Sequence, residues 1–239
     1  MYITLTKKEI FLNGEGNAWY KRNLEKIHFQ GDVMPVTKIL EKYMQDNNLK
    51  GSKCKLLEIG CSWGYNLAYL SKKLGILCYG IEPSLEAVDY GMDIFKQEKL
   101  NLIQGTSDFL PYDDNSFDIV VLGFCLFWVD RKYLFKSIAE ADRVLKEKGT
   151  MVVIDFDTNI AYKRNNIHNQ EAVTYKMQYS KLFLANPQYY LIKKETYSHA
   201  DMKFTPDIQE RVALNILYKE DINSAYIFSE DLREEGGSC

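Results

Sequence analysis

The stretch Lys55-Leu-Leu-Glu-Ile-Gly-Cys-Ser-Trp-Gly-Tyr-Asn66 decides the fold of this chain. Residues 55–59 form a short apolar run that is typical of a buried parallel strand. Gly60 and Gly64 follow, and apolar residues then recur at helical spacing from Leu67 to Leu74. The pattern therefore predicts a strand, a tight turn and a helix. In such a unit glycine lets the backbone approach a ligand, and the start of the helix offers unpaired N–H groups.

Short apolar runs and helical periodicity continue to alternate downstream of this stretch. Strands separated by helices of about 10–15 residues are typical of βαβ units in a parallel sheet. We expect Ser84 and Asp130 to cap helices and Gly149 to end one. Predicted strands cover 55–59, 76–81, 100–104, 119–122, 151–154 and 211–219, and one more predicted helix covers 33–48.

Composition and charge narrow the class of protein. With 239 residues, 46% of them apolar, the chain is long enough to bury one substantial core. A net charge of -3 gives no basic field for nucleic acid, and no apolar run approaches the roughly 20 residues of a membrane span. The five cysteines lack CxxC spacing. We therefore predict a cytoplasmic globular protein with reduced thiols, no metal site, and no nucleic-acid or membrane partner.

Three kinds of site use a glycine turn between a strand and a helix. Gly60-Cys-Ser62-Trp-Gly64 fits the G-x-S-x-G pattern of a nucleophile elbow, but no glycine-rich oxyanion loop precedes it. A dinucleotide site needs a third glycine at position 67, where leucine stands. A nucleoside without a phosphate relaxes that spacing, and Glu82, at the end of the second strand, would accept hydrogen bonds from two ribose hydroxyls. S-adenosylmethionine is the ligand that fits this third kind of site.

Four segments of the chain together carry a family resemblance. They are Glu58-Ile-Gly-Cys-Ser-Trp-Gly-Tyr-Asn66, Gly80-Ile-Glu-Pro-Ser84, Gly105-Thr-Ser-Asp-Phe-Leu-Pro-Tyr112 and Asn115-Ser-Phe-Asp-Ile-Val-Val121. In this order and at this spacing they resemble the class I S-adenosylmethionine-dependent methyltransferases. The resemblance implies a Rossmann-like α/β fold, in which a seven-stranded mixed sheet carries helices on both faces and a small helical insertion. It also places the cofactor at the carboxyl ends of the strands.

The same resemblance implies which residues surround the cofactor. The turn after the first strand would meet its methionine part, and Glu82 would hold the ribose. Thr106 stands where an acidic residue is common in the segment that meets the adenine. Gly123 and Phe124 match the loop that passes under the sulfonium. The cofactor residues implied within the core are Glu58, Gly60, Ser62, Gly64, Asn66, Glu82, Pro83, Ser84, Thr106, Ser107, Gly123 and Phe124.

The flanks of the core resemble small methyltransferases from bacterial capsule and lipopolysaccharide gene clusters. The resemblance rests on Gly16-Asn-Ala-Trp-Tyr-Lys-Arg-Asn23, Thr174-Tyr-Lys176 and 210–219. It implies that Tyr20, Arg22 and Asn23 close over the cofactor, with Arg22 pairing its carboxylate. The alternative is a solvated arginine on a capping helix. The predicted division is an N-terminal helical cap (1–50), a cofactor-binding core (51–157), a helical lobe lining the acceptor pocket (158–200), C-terminal strands (201–229) and a tail (230–239).

Methyl transfer is an in-line displacement, so the enzyme contributes mostly position and a dry pocket. A hydroxyl acceptor also benefits from a general base, for which His168, His199 and Asp155 are the candidates. The predicted function is O-methylation of a small polar acceptor, a sugar, nucleotide-sugar or phospho- or phosphoramidate derivative, in bacterial surface-polysaccharide synthesis. The alternatives are a non-catalytic scaffold of the same fold and a nucleic-acid methyltransferase. Against the latter, Gly123-Phe-Cys-Leu126 replaces the Asn-Pro-Pro-Tyr motif.

Overall fold

The computed structural model describes residues 7–24, 34–166 and 173–229. Its main element is a sheet of seven strands, accompanied by a separate pair of strands. Numbered in chain order, the strands are β1 (Lys55–Ile59), β2 (Leu77–Glu82), β3 (Leu100–Gln104), β4 (Phe117–Gly123), β5 (Leu145–Phe156), β6 (Tyr162–Asn165), β7 (Val173–Lys176), β8 (Tyr189–Ser198) and β9 (Arg211–Lys219).

The sheet is mixed, with the order β3-β2-β1-β4-β5-β9-β8. Strands β1 to β5 pair in parallel, whereas β9 is antiparallel to both β5 and β8. The order reverses between β1 and β4, so a crevice opens there at the carboxyl ends of the strands. This confirms the expected Rossmann-like fold of the class I methyltransferases.

Helices cover both faces of the sheet, because successive strand residues point to opposite sides. Leu56 of β1 belongs to the core under α3 and α4, whereas Leu57 belongs to the core under α6. The helices are α1 (Lys7–Ile10), α2 (Gly16–Leu24), α3 (Pro35–Asp46), α4 (Tyr65–Leu74), α5 (Leu85–Ile94), α6 (Leu134–Val144), α7 (Ser180–Leu184) and α8 (Ile222–Ala225), with a π-helical turn (Phe11–Glu15) between α1 and α2. In the described part of the chain, no helix has the length and apolarity to cross a membrane.

Most local expectations hold, and two are corrected. Strands β1, β3 and β9 have the predicted limits, and the Ser84 hydroxyl accepts a hydrogen bond from Ala87 N at the start of α5. Asp130 does not cap α6, which begins at Leu134, because a turn intervenes in which Asp130 accepts a weak bond from Lys132 N. Gly149 does not end a helix, because it lies inside β5.

In the described part of segment 158–200, strands outnumber helices, so the structure does not show the helical lobe predicted there. Strands β6 and β7 pair with each other, β8 completes the edge of the main sheet, and α7 is the one helix among these described residues. These strands pair with neighbouring strands along the chain, β6 with β7 and β8 with β9, and β7 also contacts a distant loop. The backbone N–H of Tyr175 in β7 donates to Phe127 O, 2.9 Å away in the loop after β4. A bulge between Leu191 and Lys193 also interrupts the alternation of β8. The C-terminal region 201–229 accordingly supplies one strand of the sheet, β9, rather than several.

Helix α5 packs against the glycine turn through Gly91. A Cβ atom at this position would lie 2.2 Å from the carbonyl oxygen of Trp63 and 2.8 Å from Leu102 Cδ1. The carbonyl oxygen belongs to the backbone of the turn and has little room to move. Gly91 therefore sets the distance between α5 and the turn.

We expect Gly91→Ala to lower the free energy of unfolding by about 1–3 kcal/mol, because overpacking against backbone costs this much. The gain in helix propensity, about 0.5–1 kcal/mol, is too small to offset it. Urea unfolding monitored by circular dichroism measures the difference. Asp89→Ala, at an exposed position of the same helix, is the control. An unchanged midpoint in Gly91→Ala would show that the turn yields.

Candidate functional site

A cavity of about 150 Å³ opens at the carboxyl ends of β1, β2 and β4. Seven of the residues predicted to bind the cofactor line it, and they come from four different loops. These residues are Gly60, Glu82, Pro83, Thr106, Ser107, Gly123 and Phe124. The structure thus brings together the loops after β1, β2, β3 and β4, as the sequence predicts for a nucleoside site.

Glu82 lies at the centre of this arrangement, at the end of β2. One carboxylate oxygen, Oε2, accepts a hydrogen bond from Ser62 N at 2.9 Å, and the other, Oε1, accepts one from Ser84 N at 3.0 Å. Burial raises the pKa of this carboxyl to about 7, although the two N–H donors lower it. Each carboxylate oxygen has a further lone pair. Glu82 therefore lines the cavity with acceptor capacity that the protein does not use up.

The turn after β1 is held in left-handed backbone conformation. Gly60, Ser62 and Gly64 have φ values of 82°, 51° and 75°. A Cβ atom on Gly60 would lie 2.8 Å from Cys125 Cβ, so glycine is required for the close approach of this turn to the loop after β4. The left-handed backbone conformation is strained at Ser62, which is not a glycine. The hydrogen bond from Ser62 N to Glu82 offsets part of this strain. Ser62 and Gly64 shape the cavity without lining it.

Glu58 lies behind the cavity wall rather than on it. Its Oε1 would be 2.9 Å from a Cβ atom on Gly123, which explains why glycine stands there. Burial raises the pKa of Glu58 to about 7; a hydrogen bond with Asn66 lowers it and the charge of Glu82 raises it further. Asn66 in turn accepts a hydrogen bond from Thr37 Oγ1 at 2.7 Å. Glu58 and Asn66 thus connect the glycine turn to α3.

The loop after β3 accounts for the absence of an acid at position 106. Asp108, two residues later, lines the same cavity, and its Oδ1 accepts a hydrogen bond from Thr106 Oγ1 at 2.7 Å. Although burial raises the pKa of Asp108, hydrogen bonds from Lys8 and Thr106 outweigh it, so the pKa lies below its usual value. The loop therefore presents a threonine hydroxyl and a charged carboxylate where the family commonly has one acid.

The N-terminal segment 7–24 closes one side of the cavity. Lys8 Nζ pairs with Asp108 at 2.8 Å, the Phe11 ring meets Trp128 edge-on at 5.2 Å, and Asn17 accepts a hydrogen bond from Ser84 Oγ at 2.7 Å. The segment thus contacts the loops after β2, β3 and β4. This placement agrees with the predicted cap, within the described part of residues 1–50.

Three residues predicted to close over the cofactor do not line the cavity. Tyr20 is buried against the turn residues Trp63 and Tyr65. Arg22 pairs with Glu15, and the Asn23 amide donates to Trp19 O one turn earlier in its own helix. These contacts favour structural roles in the cap.

The candidate general bases lie away from the cavity wall or outside the described residues. Asp155 is buried and accepts hydrogen bonds from Phe127 N at 3.2 Å and Phe156 N at 2.7 Å. Burial raises its pKa to about 7. His199 is exposed next to the rings of Phe124 and Phe156, and desolvation lowers its pKa. His168 falls in 167–172, outside the described residues.

Several lining residues were missed by the sequence prediction. Six of the thirteen are apolar or aromatic side chains of the cap and of the loop after β4. Asp108 carried a signal, because it is an acid next to the segment expected to meet the adenine. The missed residues are Lys8, Phe11, Gly16, Trp19, Ile59, Ile81, Gly105, Asp108, Cys125, Trp128, Val129, Asp130 and Tyr133.

Comparison with known proteins agrees with this geometry. A family model described as a methyltransferase domain matches residues 57–153. Norajmaline N-methyltransferase of Rauvolfia serpentina is 33% identical over 105 residues, which are 42% of this chain and 35% of that protein. Demethylmenaquinone methyltransferase of Staphylococcus aureus is 34% identical over 119 residues, 48% of each chain.

A solved structure of similar fold contains a demethylated cofactor. The 1,6-didemethyltoxoflavin-N1-methyltransferase of Burkholderia thailandensis, with bound 1,6-didemethyltoxoflavin and S-adenosylhomocysteine, superposes with a TM-score of 0.68. The match covers 92% of this chain and 94% of the other at 10% identity. Residues 57–153 thus match a methyltransferase domain, and the chain shares the fold of a methyltransferase. This chain spans less than half the length of the two curated relatives.

We expect the free energy of unfolding to fall as the pH rises from about 4.5 to about 7. Glu58 has a pKa raised from 4.5 to about 7 by burial, so the folded state binds its proton more tightly than the unfolded state does. The associated stability is complete below the lower value and is lost as the pH passes the higher one.

Glu58→Gln stays neutral throughout, so its stability is expected to fall less steeply over this range. Urea unfolding at several pH values from about 5 to about 8 measures the two slopes. Asp113→Asn, at an exposed position, should retain the wild-type slope. Equal slopes for Glu58→Gln and the wild type would contradict a buried proton at Glu58.

Proposed function

We propose that this protein transfers the methyl group of S-adenosylmethionine to a small-molecule acceptor. The observation that carries the proposal is the buried Glu82 carboxylate, which the N–H groups of Ser62 and Ser84 aim into the cavity. A carboxylate held by two backbone donors keeps one acceptor site per oxygen for the paired hydroxyls of a ribose. The methyltransferase-domain match of residues 57–153 supports the same assignment.

The residues present fit this cofactor along the whole cavity. Gly60 and Gly123 lie where side chains would collide with Cys125 and Glu58, so the backbone itself forms the wall next to β1 and β4. Phe124 and Trp128 supply apolar surface that excludes water. When bound, S-adenosylmethionine supplies a methyl group already activated by a sulfonium. The chain contributes orientation and a dry environment.

The acceptor is proposed from the flanking segments. Their resemblance to surface-polysaccharide methyltransferases favours O-methylation of a sugar, a nucleotide-sugar or a phospho- or phosphoramidate derivative. The names of the relatives point elsewhere, to a nitrogen of norajmaline and to demethylmenaquinone. His199 is the base candidate with the better access, since its ring is exposed 5.4 Å from Phe124. Asp155 uses its carboxylate to hold the backbone of Phe127 and Phe156.

The first test is calorimetric titration with S-adenosylmethionine and S-adenosylhomocysteine. We expect Glu82→Gln to weaken binding by about 10- to 100-fold, because hydrogen bonds to a charged acceptor are lost or weakened. Glutamine preserves the size of the side chain and an acceptor for one of the two N–H groups. Asp93→Asn, at an exposed position of α5, is the matched control and should bind like the wild type. Equal affinity in Glu82→Gln would remove the proposed ribose contact and favour a non-catalytic scaffold.

The second test is an acceptor screen that measures release of S-adenosylhomocysteine. We expect turnover with a nucleotide-sugar or a phosphorylated small molecule and a lower kcat in His199→Gln. A nitrogen heterocycle, a hydroquinone and a short RNA form the comparison arms. Turnover with one of these alone would contradict the polar-acceptor assignment while leaving methyl transfer in place.

A further inference from the structure

Lys176, at the end of β7, is a buried lysine without an ion pair among the described residues. Its residue surface is 5% exposed, and no described carboxylate lies within 4.0 Å of its Nζ. Lys219 is buried to the same degree but has an ion pair, because its Nζ lies 3.0 Å from Asp142 Oδ1. Lysine is almost never buried without a partner, since removing an ammonium group from water is costly.

The surroundings of Lys176 only partly satisfy its ammonium group. Nζ donates to Gln209 O at 3.2 Å and lies 3.5 Å from the centroid of the Phe156 ring. The Tyr162 ring is 5.8 Å away. An ammonium group has three donors, and among the described residues Lys176 Nζ makes one hydrogen bond, to Gln209 O. Aromatic faces stabilise a cation less than a carboxylate or phosphate does.

A continuous aromatic wall connects Lys176 to the cofactor cavity. We define the wall as Phe124, Phe127, Phe156 and His199. Phe124 lines the cavity, and its ring meets His199 at 5.4 Å. His199 stacks on Phe156 at 6.2 Å, and Phe127 meets Phe156 edge-on at 5.2 Å. Lys176 Nζ, above the Phe156 ring, therefore lies at the far end of a series of ring contacts that begins at the cavity.

No carboxylate in the described structure is in direct contact with the Lys176 ammonium group. Burial lowers the pKa of Lys176 to about 8, and Arg164 lowers it as well. Glu210, Asp155 and Asp207 raise it from a distance, without direct contact. The neighbouring His199, whose pKa burial lowers, adds no full charge at neutral pH. The group thus remains mostly protonated near pH 7 and lacks a close counter-charge in the described structure.

We propose that Lys176 Nζ binds an anionic group of the acceptor, a carboxylate or a phosphate, while the aromatic wall holds the body of the acceptor next to the cofactor. This inference rests on the proposed function, and it assigns an anionic substrate class to the same site. Lys176 thereby acts as a specificity residue, and the reacting atom lies toward Phe124. An uncharged sugar lacks the group that this lysine selects.

The experiment uses the full chain saturated with S-adenosylhomocysteine and titrated with sodium benzoate, benzamide and inorganic phosphate, followed by calorimetry and NMR. Benzoate offers a ring for the wall and a carboxylate for Lys176, and benzamide is its neutral counterpart. We expect benzoate to bind at least about tenfold more tightly than benzamide. Lys176→Met should remove this preference and weaken phosphate binding. Lys163→Met, at an exposed position of the adjacent β6, should retain both.

A measurement on the wild type alone guards against misfolding of the variant. The preference for benzoate should decline as the pH rises through about 8, because the ammonium group loses its proton there. Equal binding of benzoate and benzamide, a preference retained in Lys176→Met, or no response to pH would each overturn the inference. S-adenosylhomocysteine affinity is measured first in every variant and should not change. If the wild type does not bind it, the proposed function fails, and the titrations without it still decide the anion site.

Discussion

The buried carboxylate of Glu82 is the constraint on which the rest of the site depends. Burial raises its pKa to about 7, so its charge is held against a considerable loss of hydration. The N–H groups of Ser62 and Ser84 compensate for that loss. To aim its N–H at Glu82, Ser62 adopts a left-handed conformation between two left-handed glycines. The geometry of the turn, the start of α5 and the end of β2 are therefore determined together.

The N-terminal cap depends on the same loops. Asn17 accepts a hydrogen bond from the hydroxyl group of Ser84, and the backbone N–H of Ser84 donates to Glu82. Lys8 forms an ion pair with Asp108 in the loop after β3. Each contact joins the cap to a loop that also lines the cavity. The cap and the cavity are consequently one structural unit, because hydrogen bonds run from Ser62 through Glu82 and Ser84 to Asn17 and Tyr20 packs against the turn. This coupling suits a site that must exclude water around a reactive sulfonium.

Local sequence signals predicted the cofactor half of the structure because the relevant residues are adjacent in the chain. The strand, the turn and the helix from Lys55 to Leu74 follow from apolar spacing and two glycines, and Glu82 follows from its position at a strand end. The edge strand β8 did not follow, because a bulge between Leu191 and Lys193 interrupts its alternation. Asp108 was missed because its role depends on the contact with Thr106, which spacing alone does not reveal.

Several of the residues proposed to bind the acceptor lie in segments that the methyltransferase-domain match does not cover. The methyltransferase-domain match ends at residue 153, before Asp155, Phe156, Lys176 and His199. In the proposed function, the fold positions the cofactor, whereas the segments after β5 select the acceptor. In this chain those segments place a buried ammonium group 3.5 Å from the ring of Phe156, beside an exposed imidazole. A cation at the end of an aromatic wall distinguishes acceptors by charge first and by shape second, because an unpaired ammonium group favours an anion more strongly than a ring favours another ring.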